Sequence, residues 1–217
     1  MNPLRSVLVL LVAGGCALGS LLRWEAEASS RPAGLLSVPP AAALKLGTMG
    51  FRNMAADALY LRFVGYWGYQ LTHGRNFHNL YPLLSAIVEL DPRFYAAYDL
   101  GALALGDSGE PMKAVELLEK GAKKAPENWW FPYQAGMTLF FFSEDYGLAA
   151  EYFKRAAQLP GAPPEAGYFA ARMYERSQRS ELAAATWRAI YLRADNPSTR
   201  EVAKRALEKL GEEAPAD

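Results

Sequence analysis

The chain has 217 residues, and its 23 basic side chains balance 23 acidic ones, so its formal net charge is zero. A balanced charge argues against a nucleic-acid partner, because binding to phosphate backbones depends on clustered lysine and arginine. The single cysteine, Cys16, excludes an internal disulfide, and the length indicates one domain with an N-terminal appendage.

An uncharged apolar run occupies residues 6–22. As a helix it would span about 25 Å, close to the hydrocarbon thickness of a bilayer, which is about 30 Å. Arg5 and the amino terminus precede the run, and this small positive bias predicts that the N-terminus faces the cytoplasm. We therefore expect residues 1–24 to form a transmembrane helix that anchors the chain.

Two alternatives to this anchor remain open. Residues 13–16, Ala-Gly-Gly-Cys, resemble a lipoprotein signal in which Cys16 carries the lipid, and a conventional signal peptide would be cleaved off. The apolar run continues past Cys16 to Leu22, which favours the spanning helix. All three interpretations place the rest of the chain outside the cytoplasm of a bacterium-like cell.

Residues 25–47 are rich in proline, serine and glycine, which predicts a linker. A long helix is then predicted to begin near Thr48 and to end near Leu71. Its segment 55–69 is apolar on nearly every side, so it must be buried all round or meet another surface. It is therefore either a cap folded over the following helices or a surface for docking or membrane contact.

A group of three apolar or small residues at positions i, i+4 and i+7 recurs through the rest of the chain. Ala149, Phe153 and Ala156 form one such group on a single helix face. The small residues let a neighbouring helix approach, and Phe153 fills the space between them. The groups start at intervals of 34, 35 and 34 residues, a period typical of a helical solenoid. The others are Leu80, Leu84 and Ile87; Ala114, Leu118 and Gly121; and Ala183, Trp187 and Ile190.

Pro92, Pro126 and Pro160 also follow one another at intervals of 34 residues. Together with Leu100-Gly101 and Ala149-x3-Phe153, this pattern resembles the tetratricopeptide repeat (TPR), although the leading tryptophan of that repeat is missing. The resemblance implies an all-α fold, a right-handed superhelix of about four helix–turn–helix repeats. Residues 50–62 are also similar to a stretch found in membrane-anchored bacterial repeat proteins of unassigned role.

The repeat domain is predicted to cover residues 48–211, and residues 212–217 form a tail. Asn79, Asp145 and Asn196 are predicted to cap helices. The last helix has a polar outer side and would close the open end of the solenoid. Its apolar side, predicted to face the core, holds Val202, Ala206, Leu207 and Leu210. The predicted helices after the first repeat cover residues 94–105, 112–124, 129–142, 145–156, 165–178, 181–193 and 198–210.

Patterns for catalysis, cofactors or metals are absent from the sequence. His73 and His78 lie five apart in a predicted loop, without a cysteine or carboxylate cluster nearby. The adjacent acids at 144–145 are explained as a loop residue and a helix cap. A site around Asp57 and Arg62, which are spaced unsuitably for pairing within a helix, is the one enzymatic alternative.

A partner-binding surface is the stronger functional prediction. By the repeat resemblance, the first helix of each pair lines a concave face, where tyrosines 35 residues apart would stand in a row. The segment 129–142 is the most aromatic of the chain and suggests an apolar groove for a partner's helix or extended peptide. The alternative is that these rings are core. The predicted partner-binding residues are Tyr98, Trp130, Tyr133, Met137, Phe140, Phe141, Tyr168 and Arg172.

The predicted function is that of a protein-interaction scaffold, or an accessory subunit of a bacterial envelope complex. Residues 6–22 would hold it in the inner membrane as a single-pass protein, with its repeats in the periplasm. Its expected partners are envelope proteins. The alternative within this class is a lipoprotein that assists pilus or secretin assembly.

The anchor can be tested directly. We predict that the chain stays in the membrane fraction after carbonate washing, with Met1 intact, because residues 6–22 carry no charge. Sedimentation and N-terminal mass spectrometry measure this. Palmitate labelling at Cys16, or a mature N-terminus near residue 16, would show that the single-pass prediction is wrong.

Overall fold

The computed structural model describes residues 50–215, which lie within one compact unit, Val38–Asp217. In this range the chain forms nine α-helices and no β-strand, which confirms the all-α prediction and is consistent with helical repeats. The helices are α1 (Arg52–His73), α2 (Leu80–Leu90), α3 (Tyr95–Asp107), α4 (Pro111–Lys124), α5 (Trp130–Phe142), α6 (Tyr146–Ala157), α7 (Pro164–Arg176), α8 (Ser180–Arg193) and α9 (Pro197–Lys209).

The predicted anchor, its two alternatives, the linker and the expected helix start at Thr48 all lie outside the described residues. Between residues 50 and 215, no helix is both long enough and apolar enough to cross a membrane. The first described helix, α1, begins at Arg52 and ends at His73, two residues past the predicted end.

Each helix packs against the helix before it and the helix after it, so the chain forms a series of helical hairpins joined by short loops. Helices two apart also meet in the first part of the series, where α2 packs against α4 and α3 packs against α5. Odd-numbered and even-numbered helices therefore form two layers there. Stacked helix pairs produce this arrangement.

The predicted groups of three lie on the even-numbered helices, where the two layers meet. Ala149, Phe153 and Ala156 have no exposed surface. The members on α2, α4 and α8 are buried as well, except Ile190, which is partly buried. The predicted register is thus confirmed as the core of the hairpins.

The repeat pattern has alanine at the position of Gly121. Glycine stands there because an aromatic ring occupies the space that an alanine methyl group would need. A Cβ atom placed on Gly121 would lie 2.1 Å from Cε1 of Phe131, which comes from α5. Gly106 on α3 faces the ring of Phe142 in the same way, at 2.4 Å. Both rings of α5 therefore depend on glycines in the neighbouring helix pair.

Two of the three predicted helix caps are confirmed. The side chain of Asp145 accepts a hydrogen bond from the backbone N–H of Leu148 at 2.9 Å, and Asn196 accepts one from Thr199 at 2.7 Å. The prediction for Asn79 is wrong, since its side chain makes no cap hydrogen bond. Its φ of −97° and ψ of 0° differ from the extended conformation that lets a capping side chain reach the first turn.

The last helix, α9, packs against α8 through Ala203 and Leu207, which have no exposed surface. Its charged side chains point outward, as predicted for a helix that closes the series. Val202, which was predicted to face the core, is 46% exposed. Ala203 occupies the buried position instead, because its small side chain lets α9 approach Trp187 of α8.

The contact at Gly121 gives a stability prediction. Replacing Gly121 with alanine should destabilise the fold by about 1–3 kcal/mol, because the new methyl group overlaps Phe131. Alanine would otherwise stabilise a helix by about 1 kcal/mol relative to glycine. Thermal melting followed by circular dichroism measures the difference.

Gly68→Ala is the matched control, since Gly68 is also helical and nothing lies within 4 Å of the added Cβ. This control should melt at the same or a higher temperature. Adding Phe131→Leu to Gly121→Ala should recover part of the loss. Equal melting temperatures for Gly121→Ala and Gly68→Ala would contradict the close approach of the ring.

Candidate partner-binding surface

The tyrosines of the predicted row lie between the helices of each pair. Tyr133 packs edge-on against Phe153, with ring centroids 5.5 Å apart, and Tyr168 lies 5.9 Å from Trp187. Tyr98 is only 1% exposed, and burial raises its pKa to about 12. Tyr133 and Tyr168 therefore pack against the central residues of two groups of three, whereas Tyr98 packs edge-on against Phe131 of α5 at 5.0 Å. Tyr98 is too deeply buried to contact a partner.

Trp130, at the start of α5, is partly buried in a ring cluster. Its indole packs edge-on against Tyr95, at 5.6 Å, and against Phe131, at 5.3 Å. Asn128 donates a hydrogen bond of 2.9 Å to the hydroxyl of Tyr95. Tyr95 itself is 44% exposed, so this end of α5 presents mixed aromatic and polar surface.

The opposite end of α5 carries a more exposed cluster, which we call the Phe140–Arg176 cluster: Phe140, Phe141, Tyr146 and Arg176. The two phenylalanine rings are 4.9 Å apart, and Phe140 lies 6.4 Å from Tyr146. The guanidinium of Arg176 lies 5.5 Å from the Phe140 ring and 5.1 Å from the Tyr146 ring. Phe141 is 62% exposed. The cluster thus joins α5, α6 and α7 through tilted ring contacts and one cation.

The predicted partner-binding residues of α5 are therefore divided between the two ends of this helix. Trp130 and Phe141 are eleven residues apart, which is about 16 Å along a helix. Met137 lies partly buried between them, and Arg172 on α7 is exposed with its guanidinium 5.8 Å from the Trp187 ring. The structure brings Phe140 and Phe141 together with Arg176. Partner binding by these residues stays a prediction.

The sequence did not point to Tyr146 as a partner of Phe140. Arg176 lies 35 residues, one repeat period, after Phe141, so the repeat pattern places it on the same face of the next odd-numbered helix. The proximity arises because α6 packs on α5 and α7 packs on α6. The sequence shows that arginine and aromatic residues occur in these helices, but it does not show that they contact one another.

Helix α1 was predicted either to cap the repeats or to provide a docking surface. One side of it is buried against α2, through residues such as Ala56 and Phe63, which have no exposed surface. The other side is exposed, with Met54 at 67% and Leu61 at 72%. The helix therefore covers the next hairpin with one face while the opposite face remains apolar and exposed.

Two of the described acidic and histidine residues show contacts that hold the fold together. His73 stacks on Tyr69 with centroids 4.2 Å apart. The carboxylate of Glu151 accepts a hydrogen bond of 2.9 Å from Tyr174 and lies 3.6 Å from Arg179. Between residues 50 and 215, no three histidine, cysteine or acidic residues are grouped closely enough to hold a metal ion.

A groove that the sequence did not predict lies between α6 and α8, and α7 forms its floor. Its volume is about 520 Å³, and small side chains form much of its surface. Side-chain contacts between even-numbered helices join α2 to α4, where Lys120 donates to Ser85 at 2.7 Å, and α4 to α6, where Arg155 pairs with Glu119 at 2.5 Å. Toward α8, the corresponding contact is the ion pair between Glu151 of α6 and Arg179, the residue just before α8, at 3.6 Å.

The distinction between core and surface rings on α5 is testable. Phe141→Ala should change the melting temperature by no more than about 2 °C, because exposed side chains contribute little to stability. Phe131→Ala should cost about 3–5 kcal/mol, since Phe131 is 1% exposed. A large destabilisation by Phe141→Ala would show that this ring belongs to the core.

A comparison with models of protein families finds no match for this chain, and a comparison with curated proteins finds no similar sequence. Function is therefore inferred from the side chains that the structure describes. Their contacts support binding, with the Phe140–Arg176 cluster and the α6/α8 groove as the two candidate surfaces.

Proposed function

We propose that this chain is a TPR-type protein-interaction scaffold, or an accessory subunit, of a bacterial envelope complex. Residues 6–22 would anchor it in the inner membrane, and its repeats would form a right-handed superhelix in the periplasm. The proposed activity is the binding of envelope proteins. The proposed function does not include a catalytic activity.

The observation that carries this proposal is the exposure of the Phe140–Arg176 cluster. Aromatic residues and arginine are enriched at protein interfaces, where a few of them contribute most of the binding free energy. Phe141 presents 62% of its surface and packs against Phe140, whose ring also contacts the guanidinium of Arg176. A partner that covers Phe141 would bury apolar area on a ring that Phe140 already supports, so little side-chain ordering is needed.

The helix boundaries support the TPR assignment. The odd-numbered helices α3, α5 and α7 begin at residues 95, 130 and 164, which are 35 and 34 residues apart. The even-numbered helices α6 and α8 begin at residues 146 and 180, again 34 apart. This is the TPR period, and the buried groups of three have the same spacing.

The envelope location is supported by the uncharged run at residues 6–22 and by the weak positive bias before it. A lipoprotein that assists pilus or secretin assembly is the second candidate. It is favoured by one observation, the resemblance of residues 13–16 to a lipoprotein signal. Both candidates place the helical repeats in the same compartment and use the same surface for binding.

The proposal predicts that Phe141→Ala and Arg176→Ala each reduce capture of the partner. The tagged chain is purified from detergent-solubilised membranes, and co-purifying proteins are quantified by mass spectrometry. A hot-spot residue contributes about 2 kcal/mol or more, so the captured amount of a true partner should fall strongly at limiting concentration. Circular dichroism should show an unchanged helical content in both variants.

Leu192→Ala is the matched control, because Leu192 is 65% exposed and lies on α8, away from the cluster. It removes a similar apolar area and should leave capture unchanged. If all three variants lose the same proteins, the capture reflects general surface hydrophobicity. If none loses any, the cluster is not the binding surface, and the exposed face of α1 becomes the next candidate.

A further inference from the structure

The groove between α6 and α8 has the dimensions of a site for a small elongated molecule. Its volume of about 520 Å³ falls in the usual range for ligand sites, about 300–1,000 Å³. It follows α8 from Leu182 to Arg193, eleven residues or about 16 Å.

The lining of the groove is apolar and built from small side chains. Ala157 of α6, Gly167 and Ala170 of α7, and Ala185 and Ala189 of α8 all contribute to it. The walls are helices, whose backbone N–H and C=O groups are bonded within each helix. They offer no row of backbone groups to pair with an extended peptide, whereas an alkyl chain needs no such partners.

Two cations stand at one end of this apolar lining. Lys154 lies in the last turn of α6 and Arg193 in the last turn of α8. The two helices run in the same direction, because each is joined to α7 by a short loop. Neither cation has an ion pair with any residue that the structure describes. Asp195 lies at the same end, so the local charge is one positive.

The two side-chain cations determine the charge at this end of the groove. Asn196 and Thr199, from the start of α9, line the groove beside Arg193. The partial positive charge of this helix N-terminus is offset by the partial negative charges of the C-termini of α6 and α8. The end of the groove that holds the cations therefore favours an anionic group, and the remainder favours hydrocarbon.

We propose that this groove binds a long-chain carboxylate, a fatty acid whose alkyl chain lies over α7 and whose carboxylate lies between Lys154 and Arg193. At about 1.3 Å per methylene, a length of 16 Å accommodates about twelve carbons. This site shares no residue with the Phe140–Arg176 cluster, and it stands independently of the scaffold role.

The test uses the full chain held in amphipol, which introduces no free single-chain surfactant. A dodecanoate that carries a diazirine near its methyl end is photolysed with the protein, and the labelled peptides are mapped by mass spectrometry. Labels are expected on α7 and α8 within the groove. Unlabelled dodecanoate should compete, and dodecyltrimethylammonium should compete at least fivefold less well, because its head group is a cation.

Charge variants test the position of the carboxylate. Lys154→Gln together with Arg193→Gln should reduce labelling about fivefold, since exposed charge pairs contribute modestly. Asp195→Asn should increase labelling about twofold, because it removes the one anion at that end. Lys124→Gln is the matched control, since Lys124 is an exposed cation in the last turn of α4 and lies outside the groove. It should change nothing.

A steric variant tests the alkyl chain. Ala189→Trp should abolish labelling, because Ala189 is exposed on the groove wall and the indole would fill the space without displacing the core. Ala96→Trp, at an exposed position on α3, is the control. Labels spread over the exposed apolar face of α1, or equal competition by the two surfactants in the unaltered protein, would overturn the proposal. The surfactant comparison requires no variant to fold.

Discussion

The close approach of neighbouring helices at small residues is the constraint on which the rest of this structure depends. The groups of three on α4, α6 and α8 present alanine or glycine beside a large side chain, and the adjoining helix supplies the matching surface. At Gly121 the fit is so close that a methyl group would overlap Phe131. Packing of this density leaves no space to adjust, so the register of one helix pair determines the register of the next.

That constraint explains why α5 is so aromatic. Phe131 fills the space at Gly121, Phe142 fills the space at Gly106, and Tyr133 packs against Phe153 of the following helix. A helix that serves neighbours on two sides needs large side chains on two sides. Phe141 has no such function and is 62% exposed. Its exposure is therefore a better indication of binding than the aromatic content of the helix.

The loops between pairs lengthen along the chain, from residues 91–94 to 125–129 and then 158–163. Between α6 and α8, the ion pair of Glu151 with Arg179 lies at the start of α8. The groove lies farther along the same two helices, with α7 as its floor. The longer loop before α7 lets this helix begin farther from the end of α6. The wider gap between α6 and α8 occurs at the same place in the chain.

The sequence by itself determined the helical class, the period and the identity of the core, because these depend on local spacing. Residues at i, i+4 and i+7 share a helix face wherever the helix lies, so the groups of three could be placed before any contact was known. The caps at Asp145 and Asn196 follow from the same local chemistry. Asn79 stands at the N-cap position of α2, but its side chain makes no cap hydrogen bond, and its backbone is not extended there.

Only the tertiary structure decided which aromatic residues are exposed and where the groove lies. The residues around Phe140 come from three helices, and Arg176 is 36 positions away from it along the chain. Tyr98 and Phe141 are both aromatic residues on odd-numbered helices, yet one is 1% exposed and the other 62%. The difference depends on which neighbour covers each face, and helical periodicity carries no information about that.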